Sequence, residues 1–262
     1  MEILSFPCRG TTFRCARFGQ GTKRFAIIAG LSAGDVLLYA DAVEAQYAAL
    51  TERYTCYLFD RPDEIPVGYS IADMADDIEA VLRACGVEKI DVFGVSQGGM
   101  IAPMMALRHP ELVRSLLLGS TTAHVTPECR TVMEKWSELS RTRQRRALGE
   151  NILDGIYSPA AAAAIRESYV PGYDALTDEQ LDRFCRLTES MFDFDIRDSL
   201  GRIRVPVLVL GAEGDRLFGT DHLRELAEGT GGTLQLYGPE YGHAVYDEAP
   251  DYVSRLLTFL EQ

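Results

Sequence analysis

The sequence predicts an α/β fold: a mostly parallel twisted sheet flanked by helices, interrupted by an inserted helical segment. Three observations carry that expectation. Up to Ser120, apolar runs of strand length alternate with segments of helical periodicity. From about His124 to Asp198 the pattern is helical only. Strand-like runs then return at 205–211 and 233–238, before a last helix.

Taken in order, Glu2–Cys8 and Thr11–Phe18 read as strands joined by Arg9-Gly10, an opening hairpin. "RFAIIAG" (24–30) is a buried strand ending in Gly, 33–50 is helix-like, and "YTCYLFD" (54–60) is another strand. Ser70 opens a helix with Asp73 three residues on, a variant of the capping box. Its apolar face is Ile71, Met74, Ile78, Val81, Leu82 and Cys85, and Gly86 stops it. "KIDVFGV" (89–95) is a strand, Gln97–Leu107 a helix, and "LVRSLLLGS" (112–120) the next strand. In the insertion, Ser158-Pro159 before an alanine run is an N-cap with Pro at the first helical position, and Thr177 with Gln180 is a capping box. The run "RTRQRR" (141–146) could bind an anionic substrate, but reads better as a solvated helix face.

Composition narrows the function. The 262 residues hold 26 basic and 39 acidic side chains, a formal charge of −13. Such acidity argues against non-specific nucleic-acid binding and against docking on anionic membranes. None of the six cysteines forms a C-x-x-C pair or a Cys/His cluster of zinc spacing, so no metal or cofactor is expected. The start "MEILSFPCRG" lacks the basic and apolar regions of a signal peptide, and no apolar run is long enough to span a bilayer. A cytoplasmic protein with reduced thiols is expected, acting on a small molecule, with a homo-oligomer left open.

Gly94-Val95-Ser96-Gln97-Gly98 matches G-x-S-x-G between a strand and a helix. In that sharp turn a Ser projects its hydroxyl above the sheet edge, and side chains at Gly94 and Gly98 would collide with neighbouring elements. The following helix points N–H groups and its positive end at the site. A Ser hydroxyl needs a base. Of four histidines, His109 precedes a Pro at a helix end, His124 starts the insertion, and His222 sits in a charged helix and reads as exposed. His243 lies in a loop after a strand and before the last helix. Asp215, just beyond a buried strand, is the carboxylate expected to orient it, with Glu213 nearby but sooner after the strand. The order Ser96, Asp215, His243 is the one expected for one fold.

Those residues carry a resemblance. "GVSQGG" around Ser96, "VPVLVLGAEGD" ending in Asp215, "GHAVYDEAP" holding His243, "FDRPD" (59–63) and "HPELVRSLLLG" (109–119) together resemble the α/β-hydrolase superfamily over nearly the whole chain. The resemblance implies an α/β-hydrolase fold, with core residues 1–123 and 198–262 and a helical cap at 124–197. It implies an oxyanion hole from the backbone N–H groups of Leu31 and Gln97. Glu248 is read as a helix-start residue rather than a catalytic one. Two departures stand out: Ala29-Gly30-Leu31 replaces the His-Gly of many relatives, and Arg61 is followed by Pro62 where Gly is frequent. Ser32 offers a further hydroxyl. A cap over the strand ends makes a largely apolar pocket, with His124, Trp136, Met191 and Phe192 as lining candidates or, on the plainer reading, parts of the cap's own core. The expected activity is hydrolysis of a small ester, lactone or thioester through an acyl-Ser96 intermediate. The same triad also serves carbon–carbon bond hydrolases; a non-hydrolytic binding protein and a cofactor-free peroxidase-like or lyase activity are the readings of other classes.

Overall fold

The chain opens with a hairpin. In the computed structural model, which describes residues 1–262, β1 (Glu2–Cys8) pairs antiparallel with β2 (Thr11–Phe18). Arg9 and Gly10 between them both take positive φ, as a tight two-residue turn demands. β3 (Lys23–Ile28), α1 (Ala40–Gln46), β4 (Tyr54–Phe59), α2 (Ile71–Ala84), β5 (Ile90–Val95), α3 (Gln97–Arg108) and β6 (Val113–Gly119) then alternate. The capping box at Ser70 and Asp73 forms at the start of α2.

The segment 33–50 is not one helix. Two short 3-10 turns flank α1. Asp35 caps the first of them through the Leu37 N–H at 2.9 Å, while the preceding N–H, from Val36, is drawn to the Asp60 carboxylate at 3.1 Å. These bonds tie the start of the segment to the loop after β4.

Four helices follow β6: α4 (Pro127–Arg141), α5 (Arg145–Ile156), α6 (Pro159–Asp174) and α7 (Asp178–Glu189). Thr126, Ser158 and Thr177 cap three of them with side-chain oxygens. The Arg-rich run is not a helix face. It runs from the end of α4 through the turn into the start of α5, with Arg143 at φ 59°, and its guanidinium groups pair with acidic residues of α5, α6 and α7.

β7 (Val207–Ala212), α8 (Gly219–Thr230), β8 (Thr233–Tyr237), α9 (Val245–Glu248) and α10 (Tyr252–Leu260) complete the chain. The eight strands form one sheet in the order β1-β2-β4-β3-β5-β6-β7-β8, parallel from β4 onward. β5, fully buried, lies near its centre. One face packs α2, α3 and α8, and its core runs on into the cap through Met133, Trp136, Phe184 and Met191. The other face packs α1 and α10. All six cysteines are free, and no helix is long and apolar enough to cross a membrane.

Candidate active site

Ser96 stands between β5 and α3 with φ 53° and ψ −120°. A residue with a side chain held there costs about 1–3 kcal/mol, and it persists because the surroundings leave no alternative. A Cβ on Gly94 would lie 2.2 Å from the Gly98 carbonyl oxygen, and one on Gly98 would lie 2.1 Å from that of Ile28. The turn therefore closes backbone on backbone, for which only glycine has room. The Ser96 N–H donates to the Gly119 carbonyl at 2.9 Å, and the Ser96 carbonyl accepts from the Thr121 hydroxyl at 2.8 Å.

His243 and Asp215 are both buried, with His243 Nδ1 2.9 Å from Asp215 Oδ2. The other carboxylate oxygen accepts from the Leu217 and Phe218 N–H groups at 2.8 and 3.1 Å. Burial pushes the Asp215 carboxyl up, but His243, through charge and hydrogen bond, and the two backbone donors outweigh it and hold the carboxyl below its ordinary range. An ionised carboxylate can only accept, so His243 carries its proton on Nδ1 and keeps a lone pair on Nε2. That Nε2 is buried without a hydrogen-bond partner. Of the two acidic residues after β7, Asp215 meets His243, while Glu213 is exposed.

Glu248 does not start a helix. It ends α9, and its Oε1 accepts from the Gly242 N–H at 3.2 Å and from the Ser158 N–H at 2.9 Å. It therefore fixes the loop carrying His243 to the cap. Gly242 has no space for more, since a Cβ there would lie 2.6 Å from the Ser158 nitrogen.

The loop after β3 lies against Ser96: a Cβ on Gly30 would be 3.3 Å from the Ser96 Cβ. Gln97 is the first residue of α3, so its N–H has no partner within the helix. Its side chain is fully buried and spans two regions. Its Oε1 accepts from Arg61 Nη2 at 2.9 Å, and its Nε2 donates to the Leu187 carbonyl in the cap at 2.8 Å. The same Arg61 Nη2 donates to the Ala29 carbonyl at 2.7 Å. Burial lowers Arg61 to about 10, with Asp60 opposing, so the guanidinium remains charged at neutral pH. Arg61 thus braces the loop holding Leu31 against the residue after Ser96, a role the sequence did not disclose. The Ser32 hydroxyl donates to the Gly34 carbonyl at 3.0 Å, within its own loop.

A cavity of about 670 Å³ opens beside Leu31 and Val95, and 17 of its 24 lining residues are hydrophobic. From the cap it is walled by Tyr157, Ile165, Tyr169 and Tyr173. None of the four expected lining residues contributes. Trp136 is buried in the cap, its indole N–H on Asn151 Oδ1 at 2.8 Å, and Met191 is buried in the same core. Phe192 lies under the Arg130 guanidinium, 4.7 Å from its ring centre. His124 stands beside Glu225. His222 is half-buried rather than exposed, packed against His124 with ring centres 5.0 Å apart and planes tilted by 44°. These side chains turn inward because the cap buries its own apolar face, and α6 supplies the wall. Ile165, Tyr169 and Tyr173 recur every four residues, a helical stripe that the sequence did contain.

Comparison with known proteins agrees with this architecture. A family model described as the alpha/beta hydrolase fold matches residues 40–154, the stretch that includes Ser96. A protein of Pseudomonas savastanoi pv. phaseolicola that bears the name carbamate hydrolase RutD is 28% identical over 227 residues, 81% of this chain and 86% of its own. The crystal structure of MGS-M2, an alpha/beta hydrolase enzyme from a Medee basin deep-sea metagenome library, matches with a TM-score of 0.89 at 21% identity, covering 99% of this chain and 98% of that one. The enol-lactonase from Burkholderia xenovorans LB400 matches with a TM-score of 0.85 at 19% identity, covering 99% and 100%. The chain has the α/β-hydrolase fold, and the protein is a hydrolytic enzyme.

Proposed function

We propose that the protein hydrolyses a small, largely apolar carboxylic ester, lactone or thioester through an acyl-Ser96 intermediate. The observation that carries this reading is Ser96 at φ 53° in a turn closed by glycines, together with His243 Nδ1 held 2.9 Å from Asp215. The free lone pair on His243 Nε2 takes the Ser96 proton as Oγ attacks the carbonyl carbon. The oxygen that becomes negative is received by the N–H groups of Leu31 and Gln97. His243 then gives its proton to the leaving group, and water, deprotonated by the same nitrogen, releases the acid. No metal or organic cofactor enters these steps.

The apolar wall of the cavity supports an apolar acyl or alcohol portion. A second reading, a carbamate as substrate, is supported by the name borne by the relative from Pseudomonas savastanoi. A panel of esters, lactones, thioesters and carbamates tests both, assayed with wild type and Ser96→Ala. Turnover of at least one class by wild type and its loss in Ser96→Ala are expected. Equal turnover by the two proteins, or labelling of another serine by a fluorophosphonate probe, would overturn the assignment.

A further inference from the structure

A second set of reactive side chains gathers at the root of the cap. His124 begins the helical insertion, and its backbone bridges Asp195 where the insertion returns to the core. His222 and Glu225 lie one turn apart on α8 and share a face. One ligand atom from each of His124, His222 and Glu225 lies within 4.8 Å of the others. We propose that these three side chains bind a divalent transition metal of the Zn²⁺ class, which pins the root of the cap to α8.

The hydrogen-bond geometry supports an ion here rather than a simple ion pair. His124 Nδ1 and Glu225 Oε2 are 2.9 Å apart, yet both are buried atoms that make no well-aligned hydrogen bond. Two donor atoms drawn together without pointing at one another suit a shared third partner. The His222 tautomer points the same way. The Thr122 hydroxyl has a single proton, which it donates to the His124 carbonyl at 2.6 Å. Towards His222 Nδ1, 2.7 Å away, it must therefore accept. Nδ1 then carries the hydrogen, and the Nε2 lone pair is left for a ligand. A hydrogen bond that fixes one ring nitrogen so that the other can coordinate is the usual support of a metal-bound histidine.

The donor set also selects the metal. Two imidazoles and one carboxylate suit Zn²⁺ and its neighbours, whereas Mg²⁺ and Ca²⁺ take oxygen ligands. Ligands of a tetrahedral Zn²⁺ at about 2.1 Å stand about 3.4 Å apart, so the 4.8 Å limit closes by small side-chain rotations. The site lies outside the acyl-transfer steps. The Phe218 ring packs against both His222 and His243, with centres 6.1 and 5.3 Å away. The metal would act on how the cap is anchored, not on the bond that is cleaved.

The test uses the full chain stripped with a chelator and titrated with Zn²⁺ against a chromophoric competitor, with thermal unfolding followed in parallel. One Zn²⁺ per chain and a raised Tm are expected, with no comparable response to Mg²⁺. Glu225→Gln, close in shape, and His222→Ala should each weaken binding at least ~10-fold, as should Thr122→Val through loss of the supporting hydrogen bond. His109→Ala removes a histidine that sits on Asp76 at 2.8 Å, away from the cluster, and should bind as wild type does. Absence of Zn²⁺ uptake by the wild type, or unchanged affinity in both Glu225→Gln and His222→Ala, would overturn the proposal. Circular dichroism separates weakened binding from misfolding. Because the readouts are stoichiometry and stability, the result is independent of which substrate the enzyme takes.

Discussion

The turn that carries Ser96 and the cap that walls its cavity are held in opposite ways. At the turn, Gly94, Gly98 and Ile28 meet backbone to backbone, and three glycines in six residues leave no room for a Cβ at any of them. In the cap, helices pack through side chains, and the wall is a stripe of Ile165, Tyr169 and Tyr173 that touches the core across an open cavity. The first arrangement tolerates almost no change and fixes one atom. The second can be re-lined residue by residue without moving that atom. On the proposed function, chemistry and specificity fall to different regions, and substitutions should separate them.

The largest effect is expected at the nucleophile. Ser96→Ala should lower kcat by roughly 10⁶-fold, the scale seen when such a group is removed from a working triad, while Tm changes little, because alanine keeps the Cβ and with it the strained φ. Fluorophosphonate labelling followed by peptide mapping checks the position. Next is Asp215→Asn, expected to cost ~10⁴-fold in turnover by presenting the wrong His243 tautomer; Glu213→Gln, at an exposed side chain, should cost far less. The same variant carries a stability signature. Asp215 titrates below its ordinary value in the folded chain. Its contribution is therefore complete above the unfolded value of about 3.9 and lost as pH falls through the lower folded value. Denaturant unfolding between pH 6 and 3 should show an acid loss in wild type that is smaller in Asp215→Asn. If the two curves were parallel, the carboxylate would not be the charged partner of His243.

Gly98→Ala tests the rigid side of the comparison directly. Its Cβ meets two carbonyl oxygens, of Ile28 and Ala29, at 2.1 and 2.7 Å, and backbone cannot step aside as a side chain can. A loss of about 3 kcal/mol is expected, with a fall in kcat from displacement of the β3 loop. Tyr169→Ala tests the other side. It should reorder the panel of acyl groups by ~10-fold between short and long chains, with the rate on the best substrate less affected. Phe192→Ala is the matched control, because its ring faces Arg130 rather than the cavity. Relative rates that stay fixed in Tyr169→Ala but shift in Phe192→Ala would invert the assignment of the wall.

The same contrast explains what could be read from the chain. Ser96, Asp215 and His243 each sit in a short local pattern: a strand, a glycine-rich turn, a helix start. Local patterns survive in the sequence, and the sheet with its inserted helices follows from periodicity alone. The cavity wall was missed because Trp136, Met191 and Phe192 were picked as large apolar side chains, and apolarity marks core and cavity alike. Arg61 was noticed only as a departure, since nothing beside it in the sequence shows that one guanidinium reaches both Ala29 and Gln97. His124 and Glu225 lie far apart along the chain, so no ligand spacing could bring them together. Glu248 was misplaced because its helix is only four residues long and its partners, Gly242 and Ser158, lie outside that helix.

The smallest effects are expected in the α4–α5 turn, where the arginine run separates charge from strain. Arg143 pairs with Asp182 at 2.7 Å and Asp178 at 3.4 Å, open to solvent, so the pairs contribute little to stability. Its backbone stands at φ 59°, which costs a residue with a Cβ about 1 kcal/mol more than glycine. Arg143→Ala loses the pairs and keeps the strain, so a small destabilisation should appear in denaturant unfolding. Arg143→Gly also loses the pairs but relieves the strain, so it should be at least as stable as Arg143→Ala. Neither variant should change kcat/KM for neutral or anionic substrates, because the residue does not line the cavity beside Leu31 and Val95. A selective rise in KM for an anionic ester in both variants would make the run part of substrate binding and extend the tolerant, specificity-setting region beyond the tyrosine wall.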